Sequence, residues 1–448
     1  MIRIFRFFVP ASILALLVFE TVATLSTFLL CIYLFIELDP ADYLLNNLGL
    51  VSAGLVSLSF LAGLYMQDLY SQVRVKSRLL LAQQLMMVVG IVFLLQALIG
   101  VMEPDLSLPF RIVLLGCLML MPVIFLARLL FNSYVVPRVA SERLLLIGER
   151  PIMADIKAYV KDHPQLGIDV VGHYRERDLE VNGPKSSGAG EQPHLNGLVR
   201  QTGANSIIVD VPEARLASEL LELRYMGYSV AEAAATYAKI SNREGLSALS
   251  TARLLFTKEF EPRERDLFFE KSVDMVIAAI SLLLFLPVIV AIAAAVRLSF
   301  PGAVFDASMR MGRNQSSFVL YNFRLMKGAD SDPSETFMGR FLSRTGLYAL
   351  PQLWNVLRGE LSIVGPRPHR PEFHAELTRQ IPFYPHRLKV SPGMTGLSQI
   401  EKRRLPPLPD AIVELEYDLY YLKNASPVMA LFILVQSIKN VIVWGGEP

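Results

Sequence analysis

The sequence predicts a membrane α-helical bundle of four transmembrane helices followed by α/β structure in two parts. Three observations carry that prediction. Four long apolar stretches fill the N-terminal third. Hydrophobic residues make up 53% of the 448 and charged ones only 19%, a balance too apolar for an ordinary soluble protein. Beyond residue 143, short apolar strand-like runs alternate with helical patterns, as a parallel sheet requires.

The apolar stretches lie at about 9–36, 48–66, 79–101 and 112–131. Each is long enough to cross a hydrocarbon core of roughly 30 Å at a rise of about 1.5 Å per residue. Arg3 and Arg6 precede the first, but its apolar run exceeds a signal-peptide core, and no small-x-small cleavage pattern follows. The first span is therefore read as a retained anchor. Arg3 and Arg6, then Arg74, Lys76 and Arg78, then Arg128, Arg138 and Arg143 mark one side. Glu37, Asp39, Asp42, Glu103 and Asp105 mark the other. Lys and Arg favour the cytoplasmic face, so both ends of the bundle are expected inside. A net charge of +2 gives no general case for nucleic acid. Cys31 and Cys117 both sit in apolar runs and read as inert buried thiols.

The middle part, 139–265, carries strand patterns at 144–147, 170–173, 206–211 and 228–233. Helical patterns lie near 152–162 and 217–226. This is the order of a doubly wound sheet. The Gly-, Ser- and Pro-rich stretch 182–193 reads as a surface loop. A dinucleotide site would need G-x-G-x-x-G after the first strand, so that backbone can approach a pyrophosphate. Gly148-Glu149-Arg150-Pro151 stands there instead, so the domain reads as a structural spacer and no NAD is expected.

The last part, 266–448, opens with a fifth apolar segment at 275–296 with Pro287 near its middle. Proline removes a helical hydrogen bond and clashes with the preceding turn. Arg297, Arg310, Arg313, Arg324, Lys327, Arg340 and Arg344 follow in quick succession. A re-entrant helix, entering and leaving by the cytoplasmic face, fits that basic flank better than a full span.

Four blocks then follow in order. Residues 302–326 read GAVFDASMRMGRNQSSFVLYNFRLM and 350–368 read LPQLWNVLRGELSIVGPRP. YPHRLKVSPGMTGLSQI occupies 384–400 and EYDLYYLKNAS 416–426. Together they resemble the bacterial sugar transferases, polyprenyl-phosphate hexose-1-phosphate transferases that begin exopolysaccharide and O-antigen synthesis. The larger members share the four spans and a Rossmann-like middle domain, so the resemblance covers nearly the whole chain. It implies a UDP-sugar donor, undecaprenyl phosphate as acceptor, Mg²⁺ if the chain is active, and a bacterial inner-membrane location with the soluble domains in the cytoplasm. By analogy it also implies a homodimer.

Both substrates are multiply anionic. Arg310, Arg324, Arg367 and Arg387 are forked donors suited to phosphate oxygens. Gln352, Asn355, Thr395 and Gln399 complete the polar candidates within the blocks. Pro366 and Pro368 stiffen the chain around Arg367, and Gly393 and Gly396 suggest turns that bring backbone amides close together. His369, His374 and His386 lack metal-ligand spacing and read as surface or packing residues. Trp354 and Trp444 read as interface or core anchors. Arg340, Arg344, Arg403 and Arg404 read as solvated or headgroup-facing.

The resemblance fails at its chemical centre. In the family an Asp-Glu dyad precedes the signature block, the Asp attacking the β-phosphate and the Glu helping to hold Mg²⁺. Tyr348 and Ala349 stand at those positions. A phenol is a weak nucleophile unless a neighbour activates it. Ser308, Asn322, Leu325 and Ala430 also replace polar or charged family residues. Glu360 is the best retained metal candidate, ahead of Asp332 and Glu335, and Asp330 and Asp332 read as loop residues. Two functions therefore stand: an initiating transferase with altered machinery, or an inactive homologue that binds or assembles in the same pathway.

Overall fold

A computed structural model describes residues 2–4, 7–9, 11–36, 39–46, 48–70, 77–135, 142–163, 166–175, 195–210, 216–249, 251, 254, 258–262, 264–299, 302–327, 334–335, 337–402 and 411–444. The loop at 182–193 lies outside the described residues, as do Arg6, Glu37, Arg74, Lys76, Arg138, Asp330, Asp332, Arg403 and Arg404. Internal contacts divide the chain after Ala233 into two units.

In the first unit, α1 (Ala11–Phe35), α2 (Gly49–Met66), α3 (Arg78–Met102) and α4 (Phe110–Leu130) correspond to the four expected spans. Among the described residues, five helices are long and apolar enough to cross a membrane, these four and one in the second unit. Phe28, Val56, Phe60, Leu85, Val88 and Leu120 form the bundle core. Gly116 lets α1 and α4 close up, because a Cβ there would overlap the Phe28 ring. Val18, Val22, Leu58, Leu94 and Leu118 face outward, which suits lipid and would be costly in water. The bundle also buries a charge pair. Arg128 Nη2 lies 2.7 Å from Glu20 Oε1, and both side chains are shielded. Tyr70 donates to Glu20 Oε2 at 2.6 Å, and Arg128 Nη1 donates to the Leu69 carbonyl at 2.8 Å.

The same unit holds a four-stranded sheet of β1 (Glu142–Gly148), β2 (Ile168–Tyr174), β3 (Ser206–Asp210) and β4 (Ser229–Glu232). The order is β2-β1-β3-β4 and every pairing is parallel. Helices α5 (Pro151–Asp162), α6 (Leu195–Thr202) and α7 (Ala217–Tyr225) provide the connections; α6 has no counterpart among the expected helical patterns. Leu145, Ile147, Val199, Ile207 and Leu223 fill one core. Arg150 Nη1 reaches Asp210 Oδ1 at 3.2 Å across the carboxyl ends of β1 and β3, the crevice where open α/β sheets bind ligands.

In the second unit, Tyr237, Glu244 and Leu246 meet the C-terminal part. The Glu416 carboxylate accepts from Leu246 N at 3.1 Å and Tyr237 Oη at 3.4 Å, and Lys423 Nζ lies 2.8 Å from Glu244. α8 (Glu264–Ser299) is one helix of 36 residues with Pro287 inside, about 54 Å long if straight. Both of its ends pack on this unit. Near the start, Asp274 accepts from Ser362 Oγ and from Ile363 N, while Glu270 accepts from Tyr421 Oη at 3.1 Å. Near the end, Ile292 and Val296 join Phe323 and Leu342 in an apolar cluster. Between them Leu283, Leu284 and Leu286 are exposed.

The remaining elements are short. β5 (Phe305–Met311) and β6 (Ser317–Phe323) form an antiparallel hairpin with Arg310 opposite Phe318. α9 (Phe337–Thr345) and α10 (Gln352–Leu357) precede the parallel pair β7 (Ser362–Val364) and β8 (Gly393–Thr395). The strands cross so closely that a Cβ on Gly393 would overlap the Gly365 nitrogen. α11 (Pro371–Gln380), α12 (Ala411–Asn424) and α13 (Pro427–Trp444) complete the unit. α13 buries Met429, Ile433, Gln436 and Asn440 and exposes Leu431, Val435, Ile438 and Ile442. The last helix thus packs on the core by one face and presents an apolar stripe on the other.

A three-arginine pocket as the candidate functional site

Three arginines converge in the second unit. Arg310 leaves the end of β5, while Arg367 and Arg370 sit on the segment joining β7 to α11. That segment reads Pro366-Arg367-Pro368-His369-Arg370-Pro371, and three fixed φ angles limit how far its arginines can wander. Arg310, Arg367 and Arg370, with His369, Phe373 and Glu414, line a cavity of about 350 Å³, within the usual range for small-molecule pockets. Burial, and then the like charges of Arg370 and Arg367, push Arg310 below the ordinary arginine value. Mutual repulsion of this kind is relieved by a bound anion. Among the described residues no carboxylate pairs with Arg367 or Arg370. Their forks are placed to meet phosphate oxygens.

Arg387 lies behind this pocket and not in it. It is 1% exposed, and its Nη2 sits 2.9 Å from Glu414 Oε1 and 2.6 Å from Asp418 Oδ2. It also donates to the Arg367 carbonyl at 3.2 Å. The sequence places Arg387 among the phosphate ligands; here its guanidinium is committed to protein acceptors and supports the pocket wall. The two carboxylates hold Arg387 above the ordinary arginine value against the cost of burial.

The other sequence candidates fall elsewhere in the unit. Arg324 lies at the opposite end of the hairpin from Arg310, six residues beyond the partner of Arg310, Phe318, or about 20 Å along the strand. Gln352 donates to Asn322 Oδ1 at 2.7 Å. Asn355 clasps β6, accepting from Tyr321 N and donating to the Val319 carbonyl, and also meets Glu360 at 2.9 Å. Thr395 shares a hydrogen bond with Ser437, and Gln399 sits half-buried in the short helix Leu397–Lys402. Pro366 and Pro368 are buried, and the Pro368 carbonyl accepts from Arg310 at 3.4 Å. A Cβ on Gly396 would overlap the Gly365 carbonyl, so Gly365, Gly393 and Gly396 serve backbone packing. Tyr348 packs against the apolar cluster of Ile292, Val296, Phe323 and Leu342. Trp354 is half-exposed.

Magnesium needs several oxygen ligands, usually including carboxylates. Among the described residues no three His, Cys, Asp or Glu side chains come together in a metal-binding group. The Glu360 carboxylate meets Asn355 and, at 3.4 Å, Arg358. No all-protein cage is thus preformed among the described residues, and Glu360 is the sequence candidate that would offer a carboxylate beside substrate phosphates.

The sequence reading missed Arg370, the exposure of His369 to the pocket, and Glu414. Arg370 had a usable signal: it follows Arg367 by three residues in a proline-braced segment. Glu414 lies just outside the block that begins at Glu416.

Known proteins place this unit. The family model described as bacterial sugar transferase matches residues 265–444. An exopolysaccharide production protein, PSS, of Rhizobium leguminosarum bv. phaseoli is 32% identical over 196 residues, covering 40% of this chain and 98% of that protein. The chain belongs to the bacterial sugar transferase family. It is also similar to a UDP-N-acetylgalactosamine-undecaprenyl-phosphate N-acetylgalactosaminephosphotransferase of Aeromonas hydrophila, at 32% identity over 189 residues. A UDP-glucose:undecaprenyl-phosphate glucose-1-phosphate transferase of Xanthomonas campestris pv. campestris is 27% identical over 344 residues. These alignments cover 40% and 67% of the chain, and they span 45% of the Aeromonas protein and 66% of the Xanthomonas protein.

Proposed function

We propose that this chain acts at the initiating step of exopolysaccharide synthesis, as a membrane transferase of sugar-1-phosphate from a UDP-sugar to undecaprenyl phosphate. The observation that carries the reading is the pocket of Arg310, Arg367 and Arg370, whose charge and size suit the diphosphate of a nucleotide sugar. The relatives' names supply the substrate pair. In this reading the soluble parts face the cytoplasm of a bacterial inner membrane and the protein works as a homodimer. The re-entrant course of α8 is supported by the packing of both its ends on one unit, with exposed Leu283, Leu284 and Leu286 between them. A helix crossing the bilayer would carry those two ends to opposite sides.

A second reading is favoured by one observation. Tyr348 stands where the family resemblance implies a carboxylate nucleophile, and it packs in an apolar cluster. In that reading the chain is an inactive homologue that binds the nucleotide sugar or assembles with an active transferase. The deciding experiment measures UDP-sugar binding and UMP release by the full chain with undecaprenyl phosphate and Mg²⁺. Binding with release supports the transferase. Binding without release, beside an active relative in the same assay, supports the second reading. No binding to any UDP-sugar overturns the transferase and leaves the second reading only as an assembly partner.

A further inference from the structure

His369, in the wall of the arginine pocket, belongs to a closed ring of hydrogen bonds. Its Nδ1 lies 2.7 Å from Tyr384 Oη and 3.0 Å from Arg387 Nη1, and its Nε2 lies 3.0 Å from Glu414 Oε1. Arg387 can only donate, so Nδ1 must accept from it and carries no proton. Nε2 meets a carboxylate oxygen, so Nε2 carries the proton. Two donor paths then run from Arg387 to Glu414: one directly through Nη2, the other from Arg387 to Tyr384 Oη, from Tyr384 to Nδ1, and from Nε2–H to the carboxylate.

The ring matters because of what hangs from it. Three consecutive carbonyls of the segment that bears two pocket arginines are tied down. Arg367 O accepts from Arg387 Nη2, Pro368 O accepts from Arg310 Nη1, and His369 O accepts from Met311 N at 2.9 Å. Arg387 thus both holds the imidazole and anchors the backbone that aims Arg367, while Arg310 and Met311 fix the next two carbonyls.

We propose that His369 is a positioning residue, held neutral as the Nε2–H tautomer, and that this neutral ring sets the affinity of the arginine pocket for a diphosphate. The inference rests on the reading of that pocket as a nucleotide-sugar site. Simple charge counting predicts the opposite sign, since an imidazolium in a pocket wall should attract an anion. The groups facing His369 decide against it. Arg387 and Arg367 are cations, Tyr384 and Arg387 both donate to Nδ1, and His374 brings no negative charge; Glu414 is shared with Arg387, and Asp418 is taken by Arg387 on its far side. A proton on Nδ1 would meet the Arg387 donor and force the Tyr384 hydroxyl to turn from donor to acceptor, which opens the ring. Burial already holds the imidazole below the ordinary histidine value.

The test uses the purified full chain, with UDP-glucose as probe because its diphosphate stays ionised from about pH 5 to 8 and so does not itself titrate as a ligand. Isothermal calorimetry across that range is expected to give an affinity that holds through the ordinary histidine value near 6.5 and falls only at more acid pH, where the depressed imidazole takes its proton. His369→Phe is expected to weaken binding about tenfold and to flatten the acid-side fall, and Tyr384→Phe to weaken it less. Imidazole ¹⁵N spectra at pH 7.5 report the tautomer independently of binding and of either variant's folding, and should show a neutral Nε2–H ring. Affinity that rises on acidification, a cationic or Nδ1–H ring at pH 7.5, or unchanged affinity in a folded His369→Phe would each overturn the proposal. Failure of UDP-glucose to bind at any pH, with the Nε2–H ring present, would overturn the pocket reading and the positioning role with it.

Discussion

Arg387 Nη2 and Asp418 Oδ2 meet at 2.6 Å in the interior of the C-terminal unit, with side chains 1% and 2% exposed. The nearest helix, α12, supplies Glu414 to the same guanidinium. Two carboxylates thus share one arginine, at positions i and i+4 of a helix, on one face. The pair joins the loop around Tyr384 to α12 and, through Arg367, to the pocket wall. Removing one partner of a buried pair leaves an uncompensated charge, which costs far more than the pair contributes. Arg387→Met should therefore destabilise the C-terminal unit by about 3–5 kcal/mol, read as a fall in thermal midpoint. Adding Glu414→Gln and Asp418→Asn to it should recover part of the loss. If Arg387→Met kept full stability and lost only ligand binding, Arg387 would be a ligand after all.

Binding should separate the arginines by place. Each charge-assisted hydrogen bond contributes about 1.5–3 kcal/mol, so Arg370→Ala or Arg367→Ala should weaken UDP-glucose about tenfold or more, with little change in thermal midpoint. Arg324→Ala should leave that affinity unchanged, because Arg324 lies at the far end of the β5–β6 hairpin. Equal losses from all three would mean that long-range charge, and not the pocket, sets the affinity.

The contrast shows how far the sequence could be read. Hydropathy located all four bundle helices, because a hydrocarbon core tolerates little else. Alternating strands and helices gave the parallel sheet for a similar reason, since the central strands β1 and β3 bury successive residues on both faces. Motif context picked out Arg310 and Arg367, but it could not separate Arg387 from them. An arginine in a motif looks the same whether it meets a ligand or a buried carboxylate, and only the fold brings Glu414 and Asp418 to it. The hydrogen bonds of Gln352 and Asn355 to β6 were illegible likewise, because their partners lie 30 or more residues away.

The position of Tyr348 gives a gain-of-function test. Its side chain packs on Ile292, Val296 and Phe323 and lies outside the arginine pocket. Tyr348→Phe should leave UDP-sugar binding and stability unchanged. The double substitution Tyr348→Asp with Ala349→Glu would supply the carboxylates that the family resemblance implies, a nucleophile and a magnesium ligand. It should raise Mg²⁺-dependent UMP release above that of the natural chain. No gain in a folded double variant would mean that the surrounding polar positions, Ser308 and Asn322 among them, have also drifted from the chemistry.

Acid should weaken the C-terminal unit in a defined window. Burial depresses His369, His374 and His386 below the ordinary histidine value. In the unfolded chain a histidine takes its proton near pH 6.5, so below that value the unfolded state binds more protons than the folded one. Stability then falls as pH falls. Unfolding midpoints measured between pH 8 and 5 should be flat at the upper end and decline below about 6.5. His386→Asn should reduce the decline with less disturbance than changes at His369, whose ring would be lost. A midpoint that rises on acidification would mean these imidazoles gain acceptors in the folded state.

The membrane bundle carries its own test. Glu20 on α1 and Arg128 on α4 meet at 2.7 Å, and Tyr70, beyond the end of α2, donates to the same carboxylate. A charge in a bundle interior is costly unless paired, so the three groups fix how α1, α4 and the α2 terminus register on one another. Glu20→Gln strands the arginine and Arg128→Met strands the carboxylate; each should lower the thermal midpoint in detergent, at a cost of about 3–5 kcal/mol. Replacing both at once, Glu20→Leu with Arg128→Met, removes both charges and should cost less than either single change, although Tyr70 loses its acceptor. Adding Tyr70→Phe to that pair should then improve stability, because the stranded hydroxyl goes with it. If the double variant is instead as damaged as the sum of the singles, the residues are acting separately and the register is set by the apolar packing around Phe28 and Gly116.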